Sequence, residues 1–156
     1  MKKGSICIIC IGKLKFSFLQ QAEKHYRELL EKTHYFSLLE IKDINGKIPE
    51  EIKRKKEGEK IAENLPAGYT LLGLWEKGQL YSSMEFAVKL QKLENQNRKL
   101  CFIVGGPFGL SDDILKKCNH LVSLSPMTWT QELARILLME QLYRAYCIID
   151  NRPYHH

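Results

Sequence analysis

Short apolar runs alternate along this chain with longer amphipathic ones, and that rhythm most constrains what it can fold into. Five runs read as strands: Ser5 to Ile11, Tyr35 to Ile41, Tyr69 to Trp75, Leu100 to Val104 and Leu121 to Leu124. The first and fourth are apolar nearly throughout, as strands covered on both faces are. Between successive strands lies enough chain for a helical crossover, and crossovers of that kind join parallel strands. The predicted fold class is therefore α/β, a mainly parallel sheet with helices on both faces.

The intervening segments carry helix signals of their own. Phe16 to Lys32 places Phe18, Leu19, Ala22, Tyr26, Leu29 and Leu30 at helical spacing. Pro49 opens a charged helix through Asn64, a position where the missing amide proton costs nothing. Ser82-Ser83-Met84-Glu85 supplies a capping box for a helix to about Asn95, and Ser111 caps a short helix through Cys118. Lys77-Gly78 reads as a turn after the third strand. The last helix is expected from about Trp129 to about Cys147, with Thr128 and Gln131 in capping-box spacing.

A length of 156 residues suits one domain spanning 1–156, and 44% hydrophobic with 27% charged residues excludes wholesale disorder. The net charge of +6 suits a polyanionic partner. The run Lys53-Arg54-Lys55-Lys56 is either a solvated helix face or part of an RNA contact surface. Five cysteines, an odd number set mainly in apolar runs, read as buried thiols of a reducing compartment. Cys7-Ile-Ile-Cys10 has metal-ligand spacing but no second Cys/His pair nearby, so packing is expected there and no metal. The absence of a secretory signal, and of an apolar stretch of about 18 residues, points to the cytoplasm rather than a membrane.

Three segments carry candidate chemistry. Ile103-Val104-Gly105-Gly106-Pro107-Phe108-Gly109 is a glycine-rich turn at a strand's carboxyl end, where α/β sheets bind ligands; it lacks the lysine of a Walker loop and the dinucleotide glycine spacing. Leu121 to Trp129 is a second strand running into a loop, and two such loops side by side could enclose an adenosine. The last helix sets Arg135, Glu140, Tyr143 and Arg144 on an otherwise apolar run. It ends in Asn151-Arg152-Pro153-Tyr154-His155-His156, a tail able to stack on a base and exchange protons.

These segments in this order resemble the ribosomal RNA large-subunit methyltransferase H family of the SPOUT superfamily. The resemblance covers nearly the whole chain. It runs from Gly12-Lys13-Leu14-Lys15 through Lys56-Glu57-Gly58-Glu59, Gly105-Gly106 to Gly109 and Leu124-Ser125-Pro126-Met127-Thr128, and on to Glu140-Gln141-Leu142-Tyr143-Arg144-Ala145 and Asn151-Arg152-Pro153-Tyr154-His155. It implies a SPOUT-type α/β knot, with a carboxyl-terminal trefoil in which the loop after Leu124 passes through the loop after Val104, and a homodimer. It implies S-adenosylmethionine as cofactor, contacted by Leu74, Gly105, Leu124, Ser125, Pro126, Met127, Thr128 and Trp129. The implied substrate is a pseudouridine of large-subunit ribosomal RNA, methylated at ring nitrogen three in the assembled ribosome. Two positions depart from the family: a histidine is common where this chain has Gln131 and Glu132, and lysine or arginine is usual where it ends in His156.

For that chemistry the expected catalytic residues are Arg144 and Arg135, stabilising the substrate or its phosphate, with Tyr154 and His155 positioning the base and taking its proton. Two other readings fit the residues less fully. A non-catalytic ribosome-associated RNA-binding protein would explain the charge and the tail, and an α/β module for another nucleotide would explain the glycine turn.

Overall fold

A computed structural model describes residues 1–156. Ten elements alternate along the chain: β1 (Ser5–Ile11), α1 (Ser17–Glu31), β2 (Tyr35–Ile41), α2 (Glu50–Glu63), β3 (Thr70–Leu80), α3 (Ser83–Gln96), β4 (Lys99–Val104), α4 (Asp112–Lys117), β5 (His120–Ser123) and α5 (Gln131–Ile149). The strands form one sheet in the order β2-β1-β4-β3-β5, and every neighbouring pair is parallel.

The adjacent inner strands β1 and β4 are apolar beyond their first residues because both of their faces are covered. Ile6, Ile8 and Cys10 of β1, with Leu100, Phe102 and Val104 of β4, pack against Leu30 of α1, Phe86 and Leu90 of α3, and Leu138 and Leu142 of α5. Ile9, Ile11, Cys101 and Ile103 point the other way, onto Ile61 of α2 and Ile114 of α4. A fully buried side chain of this size contributes about 1.5–3 kcal/mol. This two-sided burial sets the register, since a one-residue slip would exchange the faces.

The helix boundaries follow their caps. The box at α3 forms as the sequence predicts: Glu85 N–H donates to Ser82 Oγ at 3.2 Å and Ser82 N–H to Glu85 Oε2 at 2.7 Å. Ser111 Oγ accepts from Ile114 N–H at 3.4 Å. The expected start of α5 is corrected. Thr130 is the cap, accepting from Leu133 N–H at 3.3 Å, so the helix begins at Gln131, and it runs on to Ile149. The turn expected at Lys77-Gly78 is also corrected: β3 continues to Leu80 with its register against β5 broken between Leu74 and Gln79. Gly78 permits this, because a Cβ there would stand 2.8 Å from backbone atoms of Leu121 and Val122.

All five cysteines are free; Cys10, Cys101 and Cys147 are buried, whereas Cys7 and Cys118 are only partly so. No helix is long and apolar enough to cross a membrane. Since every strand runs the same way, the connections that follow β1, β3, β4 and β5 emerge along a single edge of the sheet, and the candidate site lies there.

Candidate active site

The carboxyl ends of β3, β4 and β5 open into a hollow of about 800 Å³, the size of a small-molecule site. The two loops singled out in the sequence meet across it. Leu74, Gly105, Leu124, Ser125, Met127, Thr128 and Trp129 all line the hollow; Pro126 alone of the expected donor contacts does not, and is exposed.

Each loop is held by its own backbone and serines. Gly106 C=O accepts from Gly109 N–H at 3.0 Å, closing a turn with Pro107 and Phe108 at its tip and Gly109 at φ +80°. A Cβ on Gly105 would lie 2.7 Å from the carbonyl carbon of Gly109 and 2.9 Å from Leu110 N. Glycine at 105 is thus demanded first by the returning turn. In the second loop Ser123 Oγ donates to Ser125 C=O at 3.0 Å, and Ser125 Oγ accepts from Met127 N–H at 2.8 Å. Both loops thereby expose backbone polar groups at fixed positions, as a nucleoside requires.

Sequence reasoning missed several wall residues. Gln131 lines the hollow with its Oε1 enclosed and without a partner, an acceptor available to a ligand. Its signal was the departure from the family's histidine. Lys15 and Arg54 also reach the wall, and Lys15 N–H donates to Glu132 Oε1 at 2.7 Å, tying the loop after β1 to the start of α5.

Arg135 is placed elsewhere. It is 2% exposed and does not line the hollow. Its Nη1 donates to Glu23 Oε2 at 3.0 Å and to Glu40 Oε2 at 2.8 Å, and its Nη2 to Gly12 C=O at 2.8 Å. A guanidinium locked between α1, β2 and the loop after β1 is a clamp. In this arrangement its guanidinium meets only groups of the chain itself, whereas the sequence expects it at the substrate.

The tail forms a cluster of its own on the second half of α5. Arg144 pairs with Glu140 at 2.6 Å, sits 4.8 Å over the Tyr154 ring, and contacts His155 Nδ1 at 3.3 Å. Tyr154 O–H donates to Glu140 Oε1 at 3.2 Å, and the ring meets Tyr143 edge-on at 4.8 Å. Burial, with Tyr26 and Glu140 alongside, raises the Tyr154 phenol, so this group is a hydrogen-bond donor and not a base. The structure thus gathers Arg144, Tyr154 and His155 together, but not at the hollow of their own chain. Ala134 lines that hollow, and ten helical residues, or about 15 Å, separate it from Arg144.

Comparisons with known proteins bear on the fold and the family. The family model described as "Predicted SPOUT methyltransferase" matches residues 5–155. A protein of Nitratidesulfovibrio vulgaris (strain Miyazaki F), named ribosomal RNA large subunit methyltransferase H, is 39% identical over 153 residues, which span 97% of this chain and 99% of that one. The protein of that name in Maridesulfovibrio salexigens is 40% identical over 149 residues, 95% of this chain and 96% of that one. Among solved structures, a probable methylase family protein from Haemophilus influenzae Rd KW20 superposes with a TM-score of 0.56 at 16% identity, over 99% of this chain and 71% of that one. A probable methyltransferase from Bordetella pertussis Tohama I does so with 0.54 at 11%, over 92% and 96%. At such identities the structures attest the fold alone. The full-length relatives and the family model carry the assignment: the chain belongs to the ribosomal RNA large subunit methyltransferase H family of SPOUT methyltransferases, enzymes that use S-adenosylmethionine.

Proposed function

We propose that this chain methylates ring nitrogen three of a pseudouridine in large-subunit ribosomal RNA, on the assembled ribosome in the cytoplasm. It acts as a homodimer of single-domain protomers, each with its carboxyl-terminal segment drawn into a trefoil knot. The observation that carries the reading is the meeting of the Gly105–Leu110 and Ser123–Gln131 segments around one hollow. Loops that wall a common space are what the passage of one through the other would produce.

The hollow suits the donor. Its volume fits a nucleoside with an amino-acid arm, its loops present backbone groups, and the unpartnered Gln131 Oε1 can accept from an amino group. When bound, S-adenosylmethionine supplies an electrophilic methyl carbon on a sulfonium centre. The residues of the chain hold the acceptor nitrogen in line with that carbon and remove the imide proton. Arg144 stabilises the nitrogen anion, Tyr154 orients the ring as a neutral donor, and His155 takes the proton.

The separation between tail and hollow makes the dimer part of the chemistry. Packing of α5 against its copy about a two-fold axis sets the tail of one protomer at the hollow of its partner. Leu133, exposed at the start of α5, and the stacked, exposed Phe16 and Phe18 supply apolar surface for the contact. Mixing a tail-defective variant, Arg144→Ala, with a hollow-defective one, Gly105→Val, should restore activity to roughly a quarter of wild type, because half of randomly formed dimers are mixed and each has one intact site. No recovery on mixing would place both halves of the site in one chain.

Two further measurements test the reaction. Ribosomal RNA from cells lacking the gene should show one methyl group missing from a pseudouridine by mass spectrometry; an unchanged methylation map would reject the assignment. With unmodified ribosomes as substrate, His155→Ala should slow methyl transfer by roughly 100-fold, the usual contribution of a positioned proton acceptor. If Arg144→Ala, Tyr154→Phe and His155→Ala all keep wild-type rates while folded and dimeric, the tail is not the catalytic element.

A further inference from the structure

The charged helix α2 hides a carboxyl group that the proposed reaction does not use. Its neighbours Lys55, Lys56 and Glu59 are exposed, but Glu57 is 1% exposed and neither of its oxygens has a hydrogen-bond partner. It lies against the glycine turn that walls the hollow. A Cβ on Gly106 would stand 2.4 Å from Glu57 Oε2 and 2.9 Å from Oε1. One on Gly58 would stand 2.2 Å from Ser111 Oγ. Glycines in two distant segments therefore let α2 approach closely enough for the carboxyl to rest on the loop backbone.

The groups that face Glu57 are few. From the connection between β2 and α2 comes Asp43, whose carboxylate acts on Glu57 and whose own Oδ1 is enclosed. From α2 come Lys53 and Lys60. The glycine turn contributes no ionisable side chain, and α4 is represented by Ser111 and Ile114, packed on Gly58. Lys53 Nζ lies 3.4 Å from Asp43 Oδ1 and 5.8 Å from the Phe108 ring centroid, so the cluster also steadies the tip of the turn. Burial, reinforced by Asp43 and opposed by Lys53, raises Glu57 to about 7. As the neutral acid it can donate its O–H to Asp43 and places no second negative charge beside that carboxylate, which Lys53 already pairs.

We propose that Glu57 is a positioning residue of the methyl-donor pocket: its carboxyl, donating to Asp43, props the backbone at Gly106 so that Gly105–Gly109 keeps the shape that receives the donor. The inference rests on the methyltransferase reading above. Loss of the proton sets Glu57 and Asp43 against each other beneath the turn, and the turn loosens. The direction with pH follows from linkage. The folded chain retains a proton that the unfolded chain has released, so the stabilisation is complete below about pH 4.5 and is lost as pH rises through about 7.

The test is calorimetric titration of S-adenosylmethionine into wild type and Glu57→Gln at pH 6.0 and 8.5. Glutamine keeps an N–H donor for Asp43 and cannot ionise. Because the donor's own amino group also titrates in this range, the reading is the ratio of the two dissociation constants. For a midpoint near 7, the neutral fraction of Glu57 falls from about nine-tenths to about 3% between these pH values, so the wild-type to variant ratio should rise roughly 30-fold. A ratio constant within about twofold overturns the inference and leaves the methyltransferase reading intact. Wild type that binds no donor at either pH overturns the reading and the inference with it. Should Glu57→Gln fail to fold, hydrogen exchange on wild type decides: the amide of Gly109, which donates to Gly106 C=O, loses protection above pH 7 beyond the acceleration expected from base catalysis. Protection unchanged across that pH overturns the proposal.

Discussion

Arg135→Leu should cost this protein about 3 kcal/mol of stability while leaving the methyl-transfer rate of each folded molecule nearly intact. The guanidinium is enclosed, with 3% of its side chain exposed, and bridges Glu23 on α1, Glu40 on β2 and the Gly12 carbonyl. Leucine fills much of the volume but leaves two carboxylates facing each other and a carbonyl unpaired. Breaking a buried pair in this way costs about 3–5 kcal/mol, and the partial exposure of the carboxylates, 18% and 30%, puts the cost at the lower end. The urea midpoint should drop, and the melting temperature should fall by about 6–12 °C. Arg135→Lys should recover only part of the loss, since one ammonium cannot reproduce a fork that holds three oxygens. A variant as stable as wild type but inactive would return Arg135 to the substrate.

Gly105→Val should have a different signature, with donor affinity weakened in every folded molecule. Its Cβ meets the backbone of Gly109 and Leu110 at under 3 Å, so the turn must open. Overpacking of this kind costs about 1–3 kcal/mol. Taken up by an exposed turn, that cost appears as displaced loop atoms at the hollow, and calorimetry should show binding weakened roughly 5- to 150-fold. The Gly109 and Leu110 backbone must give way to admit even a Cβ, and that movement carries the wall of the hollow with it. Unchanged affinity would mean that the donor rests elsewhere.

What could be read from the residues alone, and what could not, divides along physical lines. β1 and β4 were legible because burial on both faces leaves an apolar run, and the α3 cap because Ser82 and Glu85 bond to each other's backbone three residues apart. The start of α5 misled because Thr128 and Thr130 both offer a hydroxyl, and only the path of the loop decides which meets a free amide. Lys77-Gly78 looked like a turn because glycine's other use, letting a strand pass flush against its neighbour, depends on Leu121 and Val122, more than forty residues away. Arg135 looked like a catalytic cation because its partners Glu23 and Glu40 lie 112 and 95 residues back. The family resemblance picked out Lys56-Glu57-Gly58-Glu59, but the burial of Glu57 was hidden within a run of lysines and glutamates, where every position reads as solvated; the glycine beside it was the one local sign of close packing. The two loops that wall the hollow were legible at the strand ends, whereas the distance between hollow and tail along α5 required the folded helix.

The strand order has a consequence for how this molecule comes into being. Ser5 of β1 stands in register with Lys99 of β4, so the centre of the sheet joins residues 94 positions apart. No hairpin exists to serve as a local seed, and each pairing must first close a long loop of chain. During synthesis β1 must wait, matched only to β2, until β4 has left the ribosome. A chain built this way should acquire its structure slowly and late, over milliseconds to seconds, with its most apolar strand among the earliest made and the longest left half-covered.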